Sequence, residues 1–164
     1  TMAETVKVRR VRPDDAGAIG NFLAQATRGR IVVPYEEVVE RLGSKAFFLA
    51  MTDHIVGLAG WRAENLVGRI EDLVIHPAEL RPQVGRALFD AIEKEARQLE
   101  CEVILLFVPK AVSASAVTFY QSFGFGRRLL DEIPVPWRQA AGEFAVPDHF
   151  VMAKQLRELV MKPI

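Results

Sequence analysis

The chain has one cysteine and three histidines among its 164 residues. Cys101 alone cannot close an internal disulfide, which removes the disulfide-stapled scaffolds. His76 and His149 have no second ligand at metal spacing, so no metal site is expected and both histidines read as structural or solvent-facing. Charge of one sign is missing too: 21 Lys and Arg balance 21 Asp and Glu. With no basic block, neither a nucleic acid nor a polybasic membrane surface is an expected partner. No apolar run reaches the roughly 18 residues that span a bilayer. No charged stretch followed by an apolar one opens the sequence, so the expected location is a reducing, cytoplasmic compartment. Repeats, low-complexity segments and linkers are also lacking. A chain of this length with 50% hydrophobic residues is expected to bury one full core, as a single domain over residues 3–160.

What is present is a regular alternation of strand and helix patterns. Val6, Val8 and Val11 alternate with Lys7 and Arg9 in a short strand ended by Pro13. Asp14 or Asp15 is placed to cap a helix through about Ala26, with Ile19, Phe22 and Leu23 on one face. Tyr35 to Leu42 reads as a second helix stopped by Gly43. Strands follow at 46–52, 55–62 and 66–75, the last entered through Glu64-Asn65, and should form an antiparallel meander. A helix from Pro82 to Leu99 carries Val84, Leu88, Ala91, Ile92 and Leu99 at helical spacing. Residues 102–108 are apolar almost throughout, as in a central strand covered on both faces and parallel to its predecessor. A helix over about 113–123 ends at Gly124, and two last strands flank a Pro-rich loop at 133–147. The expected fold is α/β: a mixed, mostly antiparallel sheet of about seven strands with helices on both faces.

Three places carry chemistry. At 69–92 an apolar strand runs into a glycine-bearing turn and then an amphipathic helix. Pro82 suits the first helical turn, Gly85 lets a ligand approach the backbone, and the helix start offers N–H groups to an anion. The alternative is a plain helix start. Glu71 and Asp72 interrupt an otherwise apolar strand on opposite faces by its alternation, so one of them is buried or faces a cleft. A glutamate in a partly desolvated cleft suits a general base; the alternative is a carboxylate pairing with Arg62 or Arg69. Finally, Ala116, Phe119, Tyr120, Gly124 and Phe125 form a spaced motif that puts Ala116 and Tyr120 one turn apart on one helix face. Cys101 reads as buried rather than nucleophilic. Trp61, Arg62, Tyr35, Trp137 and Arg138 lie on segments that could line an acceptor pocket.

The Ala116 to Phe125 spacing, with Val84-Gly85-Arg86-Ala87-Leu88 upstream and His76-Pro77 before it, resembles the GNAT superfamily of acetyl-CoA dependent N-acetyltransferases along essentially the whole chain. The resemblance implies direct transfer of an acetyl group from acetyl-CoA to a primary amine of a small molecule or peptide, often by a homodimer. It implies a pyrophosphate seat on the amides of Gln83, Val84, Gly85, Arg86 and Ala87. Gln83 stands where the family has its middle glycine, Leu80 where it has a leading Arg or Gln, and Arg81 is that basic residue displaced by one. Ser113 takes a position where the family often has Asn. By the same resemblance Glu71 is the base and Tyr120 the acid that protonates the leaving thiolate. Leu73, Val74 and Ile75 then splay from the 102–108 strand and bond the pantetheine amides, with an N–H near Leu73 polarising the thioester carbonyl. The lost consensus at Leu80 and Gln83 keeps a second function open, a non-catalytic acyl-CoA binding module.

Overall fold

The computed structural model describes residues 5–112, 114–144 and 147–157. Ser113, expected to help hold the cofactor, lies outside the described residues. In chain order the elements are β1 (Lys7–Arg10), α1 (Ala16–Ala26), α2 (Tyr35–Leu42), β2 (Ala46–Met51), β3 (Ile55–Glu64) and β4 (Val67–Ile75). They are followed by α3 (Arg81–Gln98), β5 (Val103–Pro109), α4 (Ala114–Gln121), β6 (Gly126–Arg128), α5 (Val135–Phe144) and β7 (His149–Gln155). The strands form one seven-stranded sheet in the order β1-β2-β3-β4-β5-β7-β6. β4 and β5 pair in parallel, and β1–β2, β2–β3, β5–β7 and β6–β7 are antiparallel. This is the mixed, mostly antiparallel α/β sheet expected.

The chain forms two compact units, one made of the chain up to Trp61 with Asp72–Ile92, the other of Arg62–Glu71 with Glu93 onward. In the first, the β2–β3 register decides which helix covers which face. Leu49 stands opposite Leu58 and Ala50 opposite Gly57. Side chains alternate across a strand, so the two pairs face opposite ways. The Leu49–Leu58 face joins Ala16, Ile19 and Phe22 of α1 and Val38 of α2 in one core cluster. The other face meets α3. A Cβ added at Gly57 would stand 2.6 Å from Val84 Cγ1 and 3.1 Å from Leu88 Cδ1, so the absence of a side chain there lets the first turns of α3 lie directly on β3.

In the second unit a two-residue loop joins β3 to β4, with Asn65 at φ 52° and Leu66 at φ 68°. Two left-handed residues make a turn whose twist matches the flanking strands. Val103 and Leu105 of β5 and Val151 of β7 pack with Ile133, Trp137 and Ala140 in a second core cluster.

Several local expectations are corrected. The segment read as a Pro-rich loop holds α5. Its prolines, 134 and 136, stand before and within the first turn, where no amide is needed, and Trp137 and Ala140 carry its buried face. Neither aspartate makes a side-chain cap for α1; Asp15 instead accepts from the Arg12 amide at 2.7 Å and binds both terminal nitrogens of Arg9 at 2.8 Å. Gly43 does follow α2, but with an ordinary right-handed φ of −84°. On α3, Phe89 and Ala96 are buried beside Val84, Leu88 and Ile92, whereas Leu99 lies past the helix end and is 58% exposed.

Candidate active site

β4 changes character in its middle. Its parallel ladder with β5 runs from Val67 opposite Val103 to Ile70 opposite Leu106. Two residues later Asp72 adopts φ 57°, a left-handed conformation that breaks the strand's alternation and that Asp tolerates better than most residues. Leu73, Val74 and Ile75 therefore lie beyond that ladder and beyond the kink, half-buried.

Glu71 sits at this break. Its side chain is 16% exposed, against 37% for Asp72, so Glu71 is the more enclosed of the two carboxylates. Arg62 Nε lies 3.2 Å from one carboxylate oxygen and Arg69 Nε 3.4 Å from the other, so both pairings that compete with the base role are present. The two arginines differ. Arg69 is 13% exposed and lies over the Phe107 ring at 4.8 Å, which fixes it, whereas Arg62 is 49% exposed on a long side chain that solvent can draw away. Asp72 accepts from Lys45 Nζ at 2.9 Å.

Tyr120 is the penultimate residue of α4, half-buried. The spacing that marks it in the sequence has a visible mechanical cause. Gly124, at φ 95°, turns the chain out of the helix, and the Phe123 and Phe125 amides fold back onto the Tyr120 carbonyl at 3.1 and 3.3 Å. Only glycine adopts that φ without strain. Phe119 stands edge-on to Tyr120 at 5.2 Å and to Phe123 at 4.9 Å, so an aromatic row sets the ring's orientation.

The helix that was to seat a phosphate begins at Arg81, one residue earlier than expected, after a short turn at Ala78–Leu80. The Arg81 amide already bonds the Ala78 carbonyl, and Pro82 has none to give. In an α-helix from Arg81 the Leu80 carbonyl accepts the first i→i−4 bond, so the ladder takes up the amides from Val84 onward. Of the five amides expected to seat a phosphate, only that of Gln83 lies outside the ladder, while Val84 and Gly85 are buried and Ala87 half-buried within the helix. Arg81 and Arg86 are exposed, which gives this helix start two cations as well as its dipole. A helix start with the Gln83 amide, two guanidiniums and a side-chain-free residue close by fits the diphosphate of a coenzyme A compound.

The other residues proposed for an acceptor pocket divide. Trp61 and Trp137 are core residues, 2% and 5% exposed. Arg138 bonds the carbonyls of Asp131 and Ile133, and Tyr35 is 58% exposed. Burial pushes the Cys101 thiol up, so it is a poor nucleophile, and no group of three metal-ligating side chains occurs among the described residues.

The model of the Acetyltransferase (GNAT) family matches residues 21–125, which contain α2 through α4, part of α1, and Glu71, Leu73–Ile75, Arg81–Ala87 and Tyr120. The chain belongs to the GNAT acetyltransferase family. GNAT acetyltransferases take their acetyl group from acetyl-CoA, and that is the donor of this enzyme. No protein of curated function matches the sequence. Among solved structures, a GNAT acetyltransferase of Staphylococcus aureus Mu50 is 17% identical over 93% of this chain and 100% of its own, with a TM-score of 0.72. The PaiA N-acetyltransferase of Thermoplasma acidophilum, in complex with coenzyme A, is 13% identical over 92% of this chain and 99% of its own, TM-score 0.68. The yncA protein of Salmonella typhimurium, with its cofactor acetyl-CoA, is 16% identical over 95% and 96%, TM-score 0.67. At these identities the likeness is one of fold. No helix among the described residues is long and apolar enough to cross a membrane.

Proposed function

We propose that this GNAT enzyme passes the acetyl group directly to a primary amine of a small molecule or peptide, in the cytoplasm, with Glu71 as base and Tyr120 as acid. The observation that carries the reading is Glu71 itself, an enclosed carboxylate at the point where β4 leaves its parallel ladder and kinks. Bound acetyl-CoA supplies a thioester-activated acetyl group. The chain's residues do the rest. The Gln83 amide with Arg81 and Arg86 holds the diphosphate, Gly85 and Ala87 shape the approach to it, and the Leu73–Ile75 backbone holds the pantetheine arm. An amide near Leu73 faces the thioester oxygen, where a fixed donor helps most as charge develops. Glu71 accepts a proton from the acceptor ammonium as Arg62 swings out, and the Tyr120 hydroxyl returns one to the departing sulfur.

The two guanidiniums on Glu71 favour one rival, a non-catalytic acyl-CoA binding module in which Glu71 only holds Arg62 and Arg69. Glu71→Gln separates them, because it keeps the shape and removes the base. As catalyst, Glu71→Gln lowers turnover by roughly 10²- to 10⁴-fold with acetyl-CoA affinity little changed. A variant that turns over like the parent moves the base elsewhere. Parent protein that binds acetyl-CoA and acetylates nothing leaves the binding module.

A further inference from the structure

An apolar cavity of about 110 Å³ lies within the first compact unit, under α1 and α2. Ile19, Leu23, Val33, Leu42, Phe47 and Leu58 make up most of its wall, and its charged lining consists of Arg41 and Asp72. A cavity in a folded core is ordinarily filled, because empty space forfeits contacts on every side. The chain leading out of it is also unusually greasy. Ile31, which lines the cavity, is 47% exposed, Val32 73%, Tyr35 58% and Val39 40%. Apolar side chains held in water beside an apolar cavity with a few polar groups at its edge are the signature of a ligand pocket.

We propose that this cavity is the acceptor pocket, and that its occupant is a primary monoamine with an aliphatic body of about four or five carbons. The size follows from volume: an apolar cavity of about 150 Å³ takes benzene, so one somewhat smaller admits an isobutyl or isopentyl group and excludes an indole. The charge follows from the lining. Asp72 gives one carboxylate oxygen to Lys45, and a carboxylate has capacity for a second cation, here the ammonium. Arg41, the other charged lining residue, repels a second positive charge, so a diamine of the same length is disfavoured. Asp72 directly follows Glu71 in the chain. The assignment rests on the acetyl-transfer reading. In that reaction the ammonium loses a proton, the nitrogen bonds the acetyl carbon, the carbon–sulfur bond breaks and the sulfur leaves as the thiol, giving an N-alkylacetamide and coenzyme A.

The test has a catalytic and a binding arm. Thiol release is followed with isopentylamine, ethylamine, 1,5-diaminopentane and tryptamine, and isopentylamine is added without acetyl-CoA to protein labelled at its Leu, Val and Ile methyl carbons. The expected result is a kcat/KM at least about tenfold higher for isopentylamine than for the other three, with methyl shifts confined to the cavity wall. Val33→Phe should fill the cavity and abolish that preference, and the milder Val33→Ala should move it towards longer amines. Acetylation indifferent to the carbon body, without wall shifts, overturns the pocket and leaves acetyl transfer standing. Wall shifts without acetylation of any amine do the reverse, keeping an amine pocket and ending the transfer reading. Neither shifts nor acetylation ends both.

Discussion

Tyr120 shows how a single residue's place was written in its neighbours. Phe119, Gly124 and Phe125 are recognisable as a spacing before any coordinates are known, and each has a mechanical part in the structure. Phe119 orients the ring, while Gly124 and Phe125 turn the chain and tie it to the Tyr120 carbonyl. Tyr120→Phe deletes a hydroxyl and almost no volume, so folding and acetyl-CoA affinity should survive while the chemical step slows. Steady-state kinetics should show a depressed kcat at nearly constant KM for acetyl-CoA, and an unchanged kcat would reject Tyr120 as the acid. Glu71 was legible as a polar residue in an apolar strand. Arg62 and Arg69 were legible as its rival partners too, but not that both hold it at once, because that depends on which rotamers long side chains adopt. Trp61 and Trp137 misled for the opposite reason: an indole suits a pocket and a core equally, and only packing tells them apart.

Among the elements, α3 ties stability to ligand binding. Gly57 has Val84 and Leu88 of α3 on top of it and Ala50 beside it, all fully buried. Gly57→Ala forces the stiff, β-branched Val84 to move, an overpacking that should cost about 1–3 kcal/mol. Thermal unfolding should register a fall of roughly 2–4 °C per kcal/mol. Because Val84 belongs to the turn proposed to hold the diphosphate, acetyl-CoA affinity should weaken as well. Adding Val84→Ala should recover part of the lost stability; a single substitution that leaves both melting and affinity unchanged would mean the helix does not rest on β3 as described. The junction of β1 with α1 makes a separate prediction. The bond from Arg9 holds the Asp15 carboxyl at about 2, below its usual 3.8. A depressed carboxylate stabilises the fold above its unfolded value and loses that contribution as pH falls through the folded one. Asp15→Asn should therefore cost about 1 kcal/mol at neutral pH, given the partial exposure of Arg9. In urea titrations the gap to the parent should close as pH drops from 3.8 towards 2. A gap independent of pH would assign it to packing. α5 escaped the sequence reading because Pro134, Pro136 and Gly142 look like loop punctuation. The signal that could have found it was Ile133, Trp137 and Ala140, three apolar residues at helical intervals that the core cluster confirms.

For the molecule as a whole, the order of strands and helices apart from α5 was legible because those elements announce themselves locally, by alternation, by helical spacing or by an unbroken apolar run. The sheet order was not, since β7 entering between β5 and β6 is a matter of long-range pairing. The cavity was equally invisible. It comes from side chains on two helices, the segment that joins them and three strands, which no local pattern relates. The central claim, that the protein is a working amine acetyltransferase, is tested most directly by following thiol release from acetyl-CoA while a broad panel of primary amines is added one at a time. Release should depend on the amine, saturate with it, and be matched mole for mole by acetylated amine in the mass spectrum. Saturable binding of acetyl-CoA with no amine-dependent release anywhere in the panel would contradict it.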